Sequence, residues 1–176
     1  MESNSTAFLI KIKLRHSLGR PSRSDFVQSE FSEVHVMLRN AILADCNDIY
    51  ELVCGLENER LPHERFAEIY KRQLNNGNFC CIVFEQDGRI IGMLNLRFEE
   101  QLHHAGKIAE IMEFSVDADY RHKGIGKAML IFAKRMAKEN ECTQIEVACN
   151  QLRQDAHRFY EREGLQNTHY RFSKAL

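Results

Sequence analysis

Residues 116–130 read VDADYRHKGIGKAML, and the order of events in that stretch decides the fold. An apolar strand runs into it, a basic glycine-containing loop turns, and a long amphipathic helix leaves. Arg121, Lys123, Gly124, Gly126 and Lys127 are concentrated there, with His122 and Ile125 between them. Glycines let a backbone turn sharply and approach a ligand closely, and the unpaired N–H groups of a first helical turn attract anions such as a diphosphate. A lone GxG is weak evidence, because a tight loop with solvated charges has the same composition. The spacing lacks the full GxGxxG with a later acid of a dinucleotide site, and the GK[ST] of a P-loop. What remains is RxxGxG after a strand and at the head of a helix.

Working outward, the helix over residues 124–140 (GIGKAMLIFAKRMAKEN) is preceded by three strand-like runs. NFCCIVFE (78–85) and RIIGMLNLRF (89–98) are separated by Gln86-Asp87-Gly88, a hairpin signal. KIAEIMEFSV (107–116) follows the polar insert EEQLHHAG. Upstream, VMLRNA (36–41) reads as a strand, and Asp45 as the N-cap of a helix carrying Ile49, Leu52 and Val53. Pro62 opens a second helix with Phe66, Ile69, Tyr70 and Leu74 at helical spacing. Downstream come a strand in TQIEVAC (143–149), a short helix in DAHRFYEREG stopped by Gly164, and a final strand in HYRFSKAL (169–176). The order β-α-α-β-β-β-α-β-α-β predicts an α+β domain on a mixed sheet with a central antiparallel meander.

With 176 residues, 44% of them hydrophobic and 28% charged, the chain is long enough for one globular core. Residues 1–36 differ in composition and read as an N-terminal extension, mobile or packed on the domain edge, ahead of a domain spanning 37–176. A formal net charge of -1 supplies no field for a phosphodiester backbone, so nucleic acid is not an expected partner. No apolar run reaches the roughly 20 residues of a membrane span, and Phe8-Leu9-Ile10 is too short for a signal peptide. The six cysteines show no CxxC and no zinc spacing; a reducing cytoplasm fits them.

Arg121-His122-Lys123-Gly124-Ile125-Gly126 resembles the pyrophosphate signature [QR]xxGx[GA] of the GNAT superfamily of N-acetyltransferases. A second block agrees: Asn150 after the next strand, then Ala156, Phe159, Tyr160, Gly164 and Leu165. Within the superfamily, residues 37–176 are most similar to bacterial aminoalkylphosphonate N-acetyltransferases, including YELVCGLE, the paired histidines of QLHH, and AEIMEFSV. The resemblance implies a GNAT fold in which the strands KIAEIMEFSV and TQIEVAC, a parallel pair, splay apart to admit acetyl-CoA as cosubstrate. It places Phe114, Ser115 and Val116 along the pantetheine arm, the amides from His122 to Lys127, including Gly124, Ile125 and Gly126, at the pyrophosphate beside Arg121 and Lys123, and Asn150 on the second strand.

The implied reaction is acetyl transfer to a small primary amine by direct attack in a ternary complex, with aminoalkylphosphonates as the leading acceptor. Such transfer needs a neutral amine, a stabilised oxyanion and a proton for the departing thiolate. Tyr160 matches the family's usual general acid. Glu110 and Glu113 are both candidates for the base; regular pleating sends them to opposite faces, and a bulge between them would change that. His103, His104 and His157 raise the question of a divalent metal, which the aminoalkylphosphonate enzymes are associated with, but the spacing defines no ligand set. Arg97, Arg158 and Arg171 are candidates for a phosphonate by chemistry alone. His63 and Glu64 open the second helix at the border of the acceptor cleft. A polyamine, an aminoglycoside, an amino acid or a protein N-terminus is an alternative acceptor, and a non-catalytic acyl-CoA sensor is an alternative function. Homodimerisation is an expectation by analogy only.

Overall fold

The computed structural model describes residues 8–9 and 36–175. One six-stranded sheet runs in chain order, from β1 (Phe8–Leu9) through β2 (Val36–Asn40), β3 (Phe79–Gln86), β4 (Arg89–Gln101) and β5 (Gly106–Val116) to β6 (Gln144–Val147). All pairings are antiparallel except the last, β5 with β6, which is parallel. Asp87-Gly88 makes the two-residue turn between β3 and β4, both residues having positive φ. The rest of the sequence preceding β2 lies outside the described residues.

Helices cover both faces. On one, α3 (Ile125–Glu139) buries Ile125, Met129, Leu130 and Ala133, all on one helical stripe, against Leu38, Phe84, Leu94 and Leu96. On the other, α1 (Cys46–Glu57) and α2 (His63–Leu74) bury Ile49, Val53 and Tyr70 against Val83, Ile90 and Met93. α4 (Gln154–Arg162) lies beyond β6, its Phe159 packed on the α3 side. None of the described helices is long and apolar enough to cross a membrane.

Two local expectations are corrected. Asp45 sits immediately before α1, but its carboxylate does not cap that helix. It accepts the Ile42 N–H at 2.8 Å across a short 3-10 turn and holds Arg39 through both oxygens, at 2.7 and 2.8 Å. The Arg39 guanidinium reaches Glu85 as well, at 2.9 Å, and outcompetes an exposed helix amide for the carboxylate. The final strand expected over 169–176 is not formed: residues 166–175 carry no regular structure, and Tyr170 and Phe172 are exposed. Alternation alone did not suffice where no neighbouring strand takes up the backbone hydrogen bonds.

Candidate active site

The site is built where the last two strands part. The β5–β6 ladder ends at Ile111 opposite Val147, yet β5 continues five residues further to Val116. The gap is a cleft of about 230 Å³ lined by Met112, Glu113 and Phe114 of β5, by Ala148, Cys149 and Asn150 beyond β6, and by Tyr160 of α4. Arg153 closes one side, donating to the Leu56 carbonyl at 2.9 Å and Glu57 at 3.2 Å, so the entrance to α4 is tied to the end of α1.

Register explains how the two glutamates are presented. Asn95 of β4 faces Glu113, and the next residue, Leu96, faces Ile111, so Met112 is an extra residue in β5. This is the bulge. Directly opposed residues share a face of the sheet, and Asn95 and Arg97 are two apart. Glu113, opposite Asn95, and Glu110, opposite Arg97, are therefore on the same face, where a regular strand would have separated them.

Their surroundings differ. Glu113 accepts the Asn95 side-chain N–H at 2.9 Å, and the same amide nitrogen donates to Gln73 at 3.0 Å. Burial raises the Glu113 carboxyl above its ordinary pKa, against the opposing pull of the Asn95 hydrogen bond, and the charges of Glu57 and Glu110 push it further the same way. Glu110 is held by Arg97 at 2.6 Å and approached by Arg171 at 3.9 Å; it lines neither of the two cavities described here.

Tyr160 is positioned from both ends. Gly164, with φ of 88°, adopts the left-handed conformation that closes α4, and the Leu165 N–H then donates to the Tyr160 carbonyl at 2.9 Å. Its ring lies edge-on to Phe159, which in turn packs edge-on against Phe114. Burial pushes the phenol pKa up, so the hydroxyl holds its proton throughout the neutral range.

The basic loop forms the other half. Gly124 has φ of 84° and His122 of 61°, so the chain curls before α3 starts. Ala128 N–H makes the first helical bond, to the Gly124 carbonyl at 3.1 Å, which leaves the amides of Ile125, Gly126 and Lys127 with no carbonyl four residues back inside the helix. Arg121 Nε donates to the Val116 carbonyl at 3.0 Å and pins the loop to the end of β5. Lys123 lies over the Tyr120 ring, and Lys127 stands 3.9 Å from Glu163. A Cβ at Gly126 would stand 3.4 Å from the Phe159 ring, in van der Waals contact with it, so the head of α3 packs closely on α4. Free amides at a positive helix end, next to a cleft between strands, fit a diphosphate carrying a long thioester arm.

Other residues singled out in the sequence are dispersed. His104 pairs with Glu146 at 3.3 Å, His103 packs on His104, and His157 meets the Asn150 carbonyl at 2.9 Å. Among the described residues no group of three or more His, Cys, Asp or Glu side chains is placed to hold a metal ion. Arg158 is paired with Asp155. His63 contacts Asn47 and the Tyr50 ring edge. Asn95, Gln73 and Arg153 were not anticipated; the one available signal was Asn95, a lone amide inside the apolar run MLNL.

A mixed sheet whose parallel pair opens over a half-buried tyrosine, beside an amide cradle heading a helix, defines an acyl-CoA-dependent acyltransferase. The comparisons agree. The model of the acetyltransferase (GNAT) family matches residues 46–165, and the chain belongs to that family and is an N-acetyltransferase. It is 35% identical over 139 residues to an aminoalkylphosphonate N-acetyltransferase of Salmonella typhimurium, across 79% of this chain and 90% of that protein. A crystal structure from Bacillus halodurans described as a transcriptional regulator superposes with a TM-score of 0.75 at 27% identity, covering 81% of this chain and all of that one. An aminoglycoside N-acetyltransferase in complex with CoA gives a TM-score of 0.74 over 81% of this chain and 95% of its own. Its 12% identity speaks for the fold alone. The acyl donor of the family is acetyl-CoA.

Proposed function

We propose that the protein transfers acetyl from acetyl-CoA to a small primary amine by direct attack, with Glu113 as base and Tyr160 as acid. The carrying observation is that Glu113 and Tyr160 line one cleft, at the point where β5 and β6 separate. Bound there, acetyl-CoA supplies an acetyl group activated as a thioester. Ile125, Gly126 and Lys127 hold the diphosphate through their amides, with His122, Lys123 and Gly124 shaping the loop and Arg121 fastening it. Phe114, Ser115 and Val116 run beside the arm, and Asn150 closes the cleft from the other strand. Glu113 takes the proton of the incoming ammonium; the amine nitrogen forms its bond to the acetyl carbon as the carbon–sulfur bond breaks, the Tyr160 hydroxyl gives its proton to the departing sulfur, and the proton that the new amide nitrogen sheds restores that hydroxyl. A carboxyl raised by burial and a phenol kept protonated are suited to these roles at neutral pH.

Aminoalkylphosphonates are the leading acceptor class, supported by the Salmonella relative. Arg97 and Arg171 both stand by Glu110, which shares a sheet face with Glu113. The test is thiol release from acetyl-CoA against a panel containing aminomethylphosphonate, 1- and 2-aminoethylphosphonate, polyamines and amino acids, with and without divalent metal. Turnover confined to the phosphonates is the expected result. Silence across the panel with acetyl-CoA still binding would sink it.

A further inference from the structure

Beyond Ile111 and Val147 no ladder hydrogen bonds join β5 to β6, so side chains must fix the width of the acyl cleft. α4, which carries Tyr160, is held at both ends. At its far end Lys134 of α3 donates to the Glu163 carbonyl at 2.8 Å. At its near end the Arg153 carbonyl accepts the first amides of the helix, from Ala156 at 3.0 Å and His157 at 3.1 Å, while the Arg153 side chain reaches away to α1. Tyr160 stands two turns further on, on the same face of α4 as Arg153. On α1, Leu56 offers one of the last carbonyls of the helix, which have no amide of their own helix to accept, and Glu57 is the final residue. Arg153 Nη2 donates to both, and brings a positive charge to the negative end of α1. α1 in turn packs on β4 and on β5, the strand that bears Glu113.

Leu56, Glu57, Glu113, Arg153 and Tyr160 all line this cleft. A second, larger cavity of about 440 Å³, between α1, α2 and the sheet, meets it at Glu113, the one described residue that lines both. The other described residues lining the larger cavity carry no charged side chain. Around Glu113 stand the Cys81 thiol from β3, the Asn95 amide from β4, and Glu110 from its own strand, itself paired with Arg97. The cleft adds Cys149, Glu57 and Arg153.

We propose that Arg153 and Glu57 are a positioning pair for the acetyl transfer, Arg153 holding Tyr160 at a fixed distance from Glu113 and Glu57 placing a second negative charge beside Glu113. The proposal rests on the transferase reading above; neither residue exchanges a proton with the substrate, and each acts through its neighbour. Burial is the main cause of the raised Glu113 carboxyl, and the Glu57 charge adds to it. Burial likewise raises the Tyr160 phenol, with Arg153 pulling the other way. Without Arg153, the field of Glu57 is no longer offset and bears more strongly on Glu113.

The test separates charge from tether in the full chain. Glu57→Gln keeps an oxygen for Arg153 and removes the charge; Arg153→Lys keeps a cation and loses the fork; Arg153→Met loses both. The carboxyl carbon of Glu113, assigned with Glu113→Gln, is titrated by NMR. Beside it are measured pH–rate profiles, with whichever amine of the panel above turns over fastest, and calorimetric acetyl-CoA binding. Glu57→Gln should lower the Glu113 titration and the acid limb of the rate profile, Arg153→Met should raise both, and Arg153→Lys should leave them near those of the parent. kcat should fall at least about tenfold in Arg153→Met and be partly restored in Arg153→Lys, with the Kd for acetyl-CoA within about twofold of the parent, since the amide cradle is on α3. A purely structural tether would move Tm and leave the Glu113 titration where it was. Shifts of the same sign in Glu57→Gln and Arg153→Met, no shift in either, or an unchanged kcat in Arg153→Met would overturn the proposal. Where Arg153→Met fails to fold, Glu57→Gln without a downward shift, or Arg153→Lys with the parent's kcat, overturns it instead. No turnover by the parent with any amine would defeat the transferase reading, and the NMR titration would still decide the pair.

Discussion

Tyr160 and Glu113 carry the chemistry assigned to the cleft, and each has a distinct signature on substitution. Tyr160→Phe removes the proton donor and keeps the ring packed on Phe159, so kcat should fall by about 10²–10⁴ with the Kd for acetyl-CoA unchanged. Steady-state kinetics alongside calorimetry reads both; unchanged kcat would remove Tyr160 from the mechanism. Glu113 acts only when ionised, and its pKa is raised, so the acid limb of the rate profile should lie above the ordinary carboxylate value and vanish in Glu113→Gln. The stability effect has a definite sign. Below the ordinary carboxylate pKa both folded and unfolded carboxyls are neutral; as pH rises through the raised folded value, the native state loses stability relative to the unfolded chain. Glu113→Gln should therefore melt higher than the parent at neutral pH, with the gap closing in acid. A Tm difference independent of pH would contradict this.

The elements position these groups through a few contacts that variants can test. Gly126→Ala adds a methyl that meets the Phe159 ring at ordinary contact distance at the head of α3, so the amide cradle and the ring that supports Tyr160 should stay in place. Acetyl-CoA affinity, read by calorimetry, should stay near that of the parent with little change in Tm; a large loss of affinity would show that the cradle needs a glycine there. Arg39 ties β2 to the turn before α1 through Asp45, itself buried, and to β3 through Glu85. Arg39→Met leaves the Asp45 charge buried and unpaired, and should cost about 3 kcal/mol in urea unfolding.

At the level of the whole domain, among the described residues β1 adds Phe8 and Leu9 to the sheet edge, paired with Leu38 and Met37, and both cavities are lined from Asn40 onward. A chain lacking residues 1–34 should keep its turnover; its loss would mean that the segment does more than extend the edge. The strand and helix order, the Asp87-Gly88 turn, the Gly164 stop and the amide cradle at 122–127 were legible in the sequence, because each depends on neighbours within a few residues: hydrophobic period, positive φ, a helix end. The second block, from Asn150 to Leu165, was legible through the family resemblance. The dispersal of the histidines and arginines was not, since pairs such as Arg97 with Glu110 or His104 with Glu146 join different strands.

Local periodicity and turn chemistry in the sequence by themselves thus determined the α+β class and the loop that heads α3, while the motif from Arg121 to Gly126 carried the resemblance to the GNAT family. Tertiary structure alone decided which carboxylate faces the cleft. Met112 is an extra residue only relative to β4, and a bulge exists only once two strands are in register. The same holds for the missing final strand, which had the alternation but no partner, and for the apolar chamber behind Glu113. Its walls come from α1, α2 and four strands, brought together by burial of surface rather than by any pattern within one segment.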